Sequence, residues 1–270
     1  MLSTLTTATP QALEWYLQPL IKGHRLVKVE NSNEKIYLPY GGNNGEFILR
    51  LFRQFLKMKY PEFTIDQTNL PVIKHLIKII TDPKEKKGLI LHGAVGIGKT
   101  ALILVWLDFR QTVLSYGEVN QRSIDQIEAG WSEEKLTVDT YAPTELVSRV
   151  AKDGYSFFDE LGHGPRTIAL FIDDMGLATT VTHFGTQINV IEQLIYSRYE
   201  TKKFNPNLEF YGTTNLTWQP LRSLMGDRAW SRLMEMANWN EGLLTGEDRR
   251  EKAGHLKQWP KFSRKRNLSI

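Results

Sequence analysis

Gly88-Leu-Ile-Leu-His-Gly-Ala-Val-Gly-Ile-Gly-Lys-Thr100 decides the class of this chain. Its second part, Gly93 to Thr100, fills the pattern G-x-x-x-x-G-K-[ST], and the apolar run Leu89-Ile90-Leu91 leads straight into it. A strand, a glycine loop and a helix start in that order are what a phosphate-binding P-loop requires. Gly93, Gly96 and Gly98 carry no Cβ to keep phosphate oxygens away from the backbone N–H groups. The helix opening near Lys99 adds the positive end of its dipole. The candidate nucleotide-binding residues are therefore Gly93, Ala94, Val95, Gly96, Ile97, Gly98, Lys99, Thr100 and Ala101. In such a loop the lysine, Lys99, reaches the β/γ-phosphates and the Thr100 hydroxyl completes a Mg²⁺ shell. A glycine turn without a ligand is the competing reading, and the strand in front of the loop weighs against it.

The chain has 270 residues, 41% of them hydrophobic and 24% charged, which suits one large domain or one domain with a small appendage. It contains no cysteine, which excludes disulfides and thiolate metal sites and is compatible with a cytoplasmic location. The N-terminal residues lack the basic and apolar regions of a secretory signal, and no apolar run approaches a membrane span. The net charge of +4 is uneven: from Arg249 to Ile270 eight Lys/Arg face the single acid Glu251. Lys257 to Arg266 interleaves Trp259 and Phe262 with the cations. Such a tail can track a phosphate backbone and stack on bases, or simply be a solvated terminus.

Residues 1–66 read as a small α+β N-terminal unit. Leu13, Tyr16, Leu17, Leu20 and Ile21 have helical spacing, and Arg25–Glu30 with Lys35–Leu38 form a hairpin pattern. Phe47, Ile48, Leu51, Phe52 and Phe55 then line one side of a helix. From Thr68 onward helices and strands alternate: a helix opened by Pro71, a strand at Leu89–His92, a helix from Lys99 to about Phe109, and a polar insertion over 115–135. A strand at Leu136–Thr140, a helix from Pro143, a strand at Thr167–Ile172, a helix through Phe184, Ile188, Ile191, Leu194 and Ile195, and a strand at Leu208–Gly212 follow. This alternation predicts an α/β fold, a P-loop nucleoside triphosphatase with a parallel sheet sandwiched between helices. Residues 67–240 form that domain, and 241–270 a short lid and basic tail.

Ile168-Ala-Leu-Phe-Ile-Asp-Asp174 delivers two carboxylates to the tip of an apolar strand. An ATPase needs that pair, Asp173 to hold Mg²⁺ or its water and Asp174 to orient the attacking water. Asp174 stands where many ATPases carry the longer Glu. Tyr211-Gly-Thr-Thr-Asn215 ends the next strand on an amide, by itself only a turn signal. The six histidines show no metal-ligand spacing; His163 and His183, flanking the second motif, read as surface residues, and the seven tryptophans as core or rim.

Thr213-Thr-Asn-Leu216, Gly226-Asp-Arg-Ala-Trp-Ser-Arg-Leu-Met-Glu-Met236 and Thr245-Gly-Glu-Asp-Arg-Arg250 together resemble the DnaC/IstB branch of the AAA+ ATPases. Ile172-Asp-Asp-Met-Gly176 and Tyr196-Ser-Arg-Tyr-Glu200 fit the same pattern, so the resemblance covers roughly residues 68 to 250. Residues 1–66 have no counterpart in it. It implies an ATP- and Mg²⁺-dependent enzyme with Asn215 as sensor 1, Arg232 as arginine finger with Arg228 one turn earlier, and Arg250 or its neighbour Arg249 as sensor 2. It further implies a homo-oligomer formed on ATP or DNA, single- or double-stranded DNA as ligand, and a replicative ring helicase or a transposase as protein partner; residues 1–66, outside the resemblance, are the expected docking unit. A helicase loader, a transposition helper, a nucleotide-gated binding module with little turnover and a P-loop kinase acting on a small acceptor all remain open at this point.

Overall fold

Four short strands, Gly88–His92, Glu209–Thr214, Thr167–Ile172 and Thr137–Tyr141 in their order across the sheet, run parallel, with helices on both faces. A computed structural model of the chain describes residues 44–82, 84–110, 137–158, 167–177, 180–204, 206 and 208–249. The elements are α1 (Asn44–Lys59), α2 (Leu70–Thr81), β1 (Gly88–His92), α3 (Lys99–Phe109), β2 (Thr137–Tyr141), α4 (Pro143–Asp153), β3 (Thr167–Ile172), β4 (Thr180–His183), β5 (Thr186–Asn189), α5 (Val190–Phe204), β6 (Glu209–Thr214), α6 (Trp218–Met225) and α7 (Asp227–Met236). The expected helix at 13–21, the hairpin at 25–38, the insertion at 115–135, His163, Arg250 and the basic tail lie outside the described residues.

Successive side chains of a strand point to opposite faces, and the sheet uses that alternation to build two cores. Leu89, Leu91, Ala169, Phe171 and Tyr211 meet α1, α2 and α3 on one face. Ile90, Leu170, Ile172 and Phe210 meet residues of α4, α5, α6 and α7 on the other. Helix α3 buries Leu102, Ile103, Val105, Trp106, Leu107 and Phe109, so it is enclosed nearly all round. That enclosure holds the first turn of the helix, and the loop ahead of it, in one place.

Helix α1 belongs to the first core. Phe52 lies edge-on to Trp106 and Phe109 of α3 at centroid distances of 5.7 and 5.0 Å, and Phe55 meets Phe109 at 5.4 Å. The apolar stripe of this helix is thus core, and the charged residues Arg50, Arg53 and Lys57 face out. The stretch drawn with the N-terminal unit shares its core with the P-loop helix from Asn44 onward.

Two expectations shift. The helix expected to run through Phe184 and Ile188 starts only at Val190, and residues 180–189 form the antiparallel hairpin β4–β5. Thr180, Val181 and Thr182 favour a strand, and Phe184 and Gly185 form a two-residue turn with φ of 46° and 81°. The helix start has its own signal, since Asn189 Oδ1 accepts from the Glu192 amide at 3.2 Å. Strand β6 in turn runs on through Thr213 and Thr214, so both threonines are part of the sheet.

Beyond β1 the segment from Asn238 to Leu244 occupies the next strand position without forming a regular strand. Ile90 N–H donates to Asn238 O, Asn238 N–H to Gly88 O and Leu244 N–H to His92 O, at 2.9, 3.0 and 2.9 Å. The 3₁₀ turn Asn240–Gly242 bulges between these contacts. Gly242 presses so closely on β1 that a Cβ there would lie 1.8 Å from Ile90 O. Among the described residues no helix is long and apolar enough to cross a membrane.

Replacing Phe52 with Ala should lower the unfolding free energy by about 3–5 kcal/mol, the usual cost of truncating a buried Phe. Chemical denaturation followed by tryptophan fluorescence measures it. A loss confined to a separate transition would detach α1 from the P-loop core.

Candidate functional site

The carboxyl ends of β1, β3 and β6 come level because their register is parallel, and ligands of open parallel sheets sit at that end. Pairing Ile172 with Gly212 sets Asp173 beside Thr213, and pairing His92 with Thr214 sets the start of the glycine loop beside the end of β6. Gly93, Gly96 and Gly98 have φ of 137°, 81° and 94°, a left-handed region that side chains with a Cβ avoid. Ala94 and Val95 are exposed at the loop's crest, whereas Ile97 is buried beneath it as its anchor. Gly98 ends the loop and Lys99 opens α3, followed by Thr100 and Ala101 in its first turn.

The Lys99 side chain is 7% exposed. Its Nζ donates to Gly93 O at 2.9 Å, Ala94 O at 2.7 Å and Asn215 Oδ1 at 2.7 Å. The amide of Asn215 passes the link on, its Nδ2 donating to Asp174 Oδ1 at 2.7 Å. On the other side Thr100 Oγ1 and Thr213 Oγ1 both donate to Asp173 Oδ1, at 2.7 and 2.6 Å. Asp174 takes φ of 51°, uncommon for a residue with a Cβ, and its N–H donates to Thr213 Oγ1 at 2.8 Å. The structure thus brings Lys99, Thr100, Asp173, Asp174 and Asn215 into one hydrogen-bonded cluster under the glycine loop.

This donor set fits a magnesium–nucleoside triphosphate. The ammonium and the amides of a left-handed glycine loop are anion ligands. The Thr100 hydroxyl and the Asp173 carboxylate are hard oxygens of the kind Mg²⁺ takes. Among the described residues no group of three or more His, Asp and Glu could hold a metal ion.

Behind the loop His92 stacks on Trp239 with centroids 4.1 Å apart, and Trp239 meets Trp230, which in turn faces Trp218. Burial lowers the imidazole pKa of His92 below its usual value. Three of the tryptophans therefore form one chain of ring contacts that begins at His92, a grouping that their spacing in the sequence conceals. Thr213 is the other residue the sequence reading passed over. A hydroxyl near the end of an otherwise closed strand, next to a strand tipped by carboxylates, was the available signal.

The arginines fall in two places. Arg228 and Arg232 stand on α7, where Arg232 lies over the rings of Tyr196 and Tyr199 of α5 at 4.5 and 5.2 Å. Neither is hydrogen-bonded or ion-paired to the P-loop cluster within the chain. Arg249 is at the loop: its N–H donates to Gly96 O at 3.0 Å. Its Nη2 donates to Asp66 Oδ2 and Thr68 Oγ1, both at 2.7 Å. Asp248 lies directly on the phosphate loop, since a Cβ at Gly96 would fall 2.1 Å from its Oδ1. The segment before α2 and the segment after β1's edge partner are so clasped together across the loop.

No protein-family model matches the chain, and no curated protein matches it in sequence. Among solved structures it is similar to domain III of the replication initiation protein DnaA from Thermotoga maritima, with 17% identity and a TM-score of 0.47 over 70% of this chain and 67% of that one. It is also similar to AMPPCP-bound DnaA from Aquifex aeolicus, with 15% identity and a TM-score of 0.42 over 66% of this chain. A DNA replication initiation factor gives 12% identity and a TM-score of 0.44 over 66% of this chain. The match spans about half the length of each of the latter two, 48%.

Burial raises the Asp66 carboxyl pKa, but hydrogen bonds from Thr68 and Asn69, with the Arg249 charge, outweigh it and hold the group below its usual range. A carboxyl depressed on folding adds stability above its unfolded pKa and loses it as pH falls through the folded one. The clasp should therefore persist through the ordinary carboxylate range and open only below it. Asp66→Asn should speed hydrogen exchange of the Arg249 amide at neutral pH, read by mass spectrometry. Exchange as slow as in the wild type would mean that the clasp does not hold this segment.

Proposed function

We propose that the chain is a Mg²⁺-dependent ATPase of AAA+ type that works as a DnaC-like helicase loader in DNA replication. The observation that carries the ATPase part is the cluster in which Lys99, Asn215 and Asp174 are joined on one side and Thr100, Asp173 and Thr213 on the other. Lys99 and the amides of Gly93–Thr100 bind the phosphates, and Thr100 with Asp173 would hold Mg²⁺ and its water. Mg²⁺ there would supply positive charge to the phosphate oxygens. Asp174 orients the attacking water, and Asn215, tied to both Lys99 and Asp174, reads the terminal phosphate. When nucleotide arrives, the Lys99 ammonium exchanges carbonyl oxygens for phosphate oxygens, and Arg249 or Arg250 covers the site from the lid.

Arg232, with Arg228 beside it, supplies the finger to the site of a neighbouring copy. Its position over Tyr196 and Tyr199, unbonded to its own P-loop cluster, supports a role in trans. Such a finger completes the site only at an interface, and so ties nucleotide state to assembly. The loader role, the ring helicase as partner and the engagement of DNA follow from the resemblance to the DnaC/IstB branch; residues 1–66, outside that resemblance, are assigned the docking role. The same resemblance supports a transposition helper, and the gene next door, replicative helicase or transposase, separates the two. A nucleotide-gated switch with little turnover is favoured by one observation: Asp174 is short and already engaged with Asn215.

Lys99→Ala should weaken ATP binding by about 10- to 100-fold, the loss of a charged hydrogen-bond donor. Asp174→Asn should bind ATP normally and hydrolyse it about 10²- to 10⁴-fold more slowly. Radiolabelled ATP turnover and equilibrium binding measure both, and wild-type turnover in Lys99→Ala would sink the reading. In the DNA-bound assembly Arg232→Ala should lose at least about 10³-fold in rate. Negligible single-turnover hydrolysis by the wild type with DNA and partner present would leave the switch.

A further inference from the structure

Thr213 is 1% exposed and lies level with Asp173, one residue beyond the paired Ile172 and Gly212. A hydroxyl has one proton to give and two lone pairs to receive with. Thr213 gives its proton to Asp173 Oδ1 at 2.6 Å and receives the Asp174 N–H at 2.8 Å. One oxygen is therefore bonded to both consecutive acids, to the first through its carboxylate and to the second through its backbone. The neighbouring threonine does something different: Thr214 Oγ1 donates to Met175 O at 2.6 Å and receives the Leu216 N–H at 3.1 Å.

The bond to Asp174 N–H accompanies the φ of 51° there. A left-handed residue at the end of a strand turns the chain sharply, and here the turn ends with the Asp174 carboxylate on Asn215. The bond to Asp173 fixes the carboxylate that would face a cation. Thr100 Oγ1, the other donor to Asp173 Oδ1, could offer a lone pair to Mg²⁺ and keep its proton on the carboxylate. Thr213 holds the same oxygen from a place closed to solvent, off the P-loop.

We propose that Thr213 is the positioning residue of the site, whose single buried hydroxyl aims Asp173 at the metal and fixes Asp174 in the left-handed turn that presents it to Asn215. The proposal rests on the Mg²⁺-ATP reading above. It adds a residue outside the P-loop, the carboxylate pair and the sensor amide, and it gives that residue a role in metal affinity and turnover.

The test uses the full chain as wild type, Thr213→Val and Thr213→Ser. Valine keeps the branched shape and removes the hydroxyl; serine keeps the hydroxyl and removes the methyl. Three quantities are measured: kcat and KM for ATP, the Mg²⁺ concentration giving half-maximal turnover, and the Mg²⁺ dependence of binding of a fluorescent ATP analogue. Thr213→Val should lower kcat and raise the Mg²⁺ requirement, each by about 10- to 100-fold, the usual effect of losing a partner of a metal ligand. KM for ATP at saturating Mg²⁺ should stay within about twofold, because the loop and Lys99 are untouched. Thr213→Ser should restore both quantities to near the wild-type values. If the valine chain does not fold, Thr213→Ala carries the same expectation.

A valine variant with wild-type kcat and Mg²⁺ dependence overturns the proposal. So does a serine variant as impaired as valine, which would make the methyl group the important part, or a rise in KM for ATP with kcat unchanged. A wild-type chain that binds Mg²⁺-ATP without turning it over removes the ATPase reading but not this one. The Mg²⁺ dependence of analogue binding then decides it alone.

Discussion

The level ending of three parallel strands is the constraint on which the site depends. Strand β1 delivers the glycine loop, β3 the two acids and β6 a hydroxyl and an amide, and only the β1-β6-β3 order makes them neighbours. A slip of one residue in β6 would turn Thr213 to the opposite face and put Thr214 in its place. Register is held where both faces are buried, and here every residue of β6 is buried. Enclosure of α3 adds the second fixed point, because the helix that starts at Lys99 has no freedom to tilt away from the acids. The arrangement of polar groups at the top of the sheet is in this sense a property of the two apolar cores beneath it.

Charge is handled differently at the two ends of β6. At its start Glu209, 2% exposed, pairs with Arg110 at 2.5 Å and receives the Tyr211 hydroxyl at 2.8 Å. Arg198, buried beside it, donates to Glu209 O at 2.9 Å, and desolvation lowers its pKa to about 10. This end is closed, with its charges matched internally, as buried ions require. At its finish the polar groups are matched to one another in a form that a bound anion and cation can replace: Lys99 on carbonyls, Thr100 on Asp173, Arg249 on Asp66. The difference between the ends is one of exchangeability.

Much of the fold was legible because its signals are local. The P-loop motif, the apolar run before Asp173 and the periodicity of α1 and α2 each lie within a dozen or so residues, and each corresponds to an element that is present. The hairpin at 180–189 was not legible, because Phe184 in its turn breaks the Asn-Gly or Asp-Gly habit of such turns, and Ile188 fell by coincidence on a helical repeat. The core membership of α1 was hidden for another reason: an apolar stripe reports that something is covered, not what covers it. At the site, Lys99, Thr100, Asp173, Asp174 and Asn215 stood out as motif positions. Thr213 and the Asp66–Arg249 contact did not, since each depends on residues brought together from distant parts of the chain.

That distance has a consequence for how the molecule is made. Arg249 reaches Asp66 across 183 positions, and Lys99 reaches Asn215 across 116. Contacts of such sequence separation carry the entropy of closing a long loop, and they form after the local helices and turns. On a ribosome the glycine loop emerges well before β6 and before the segment that clasps it. A nascent chain therefore carries the glycine loop without the acids and amide that it later meets. The hydrogen-bonded cluster closes only when β6 has been synthesised and paired with β1, so that an intact cluster doubles as a sign that this sheet has been assembled.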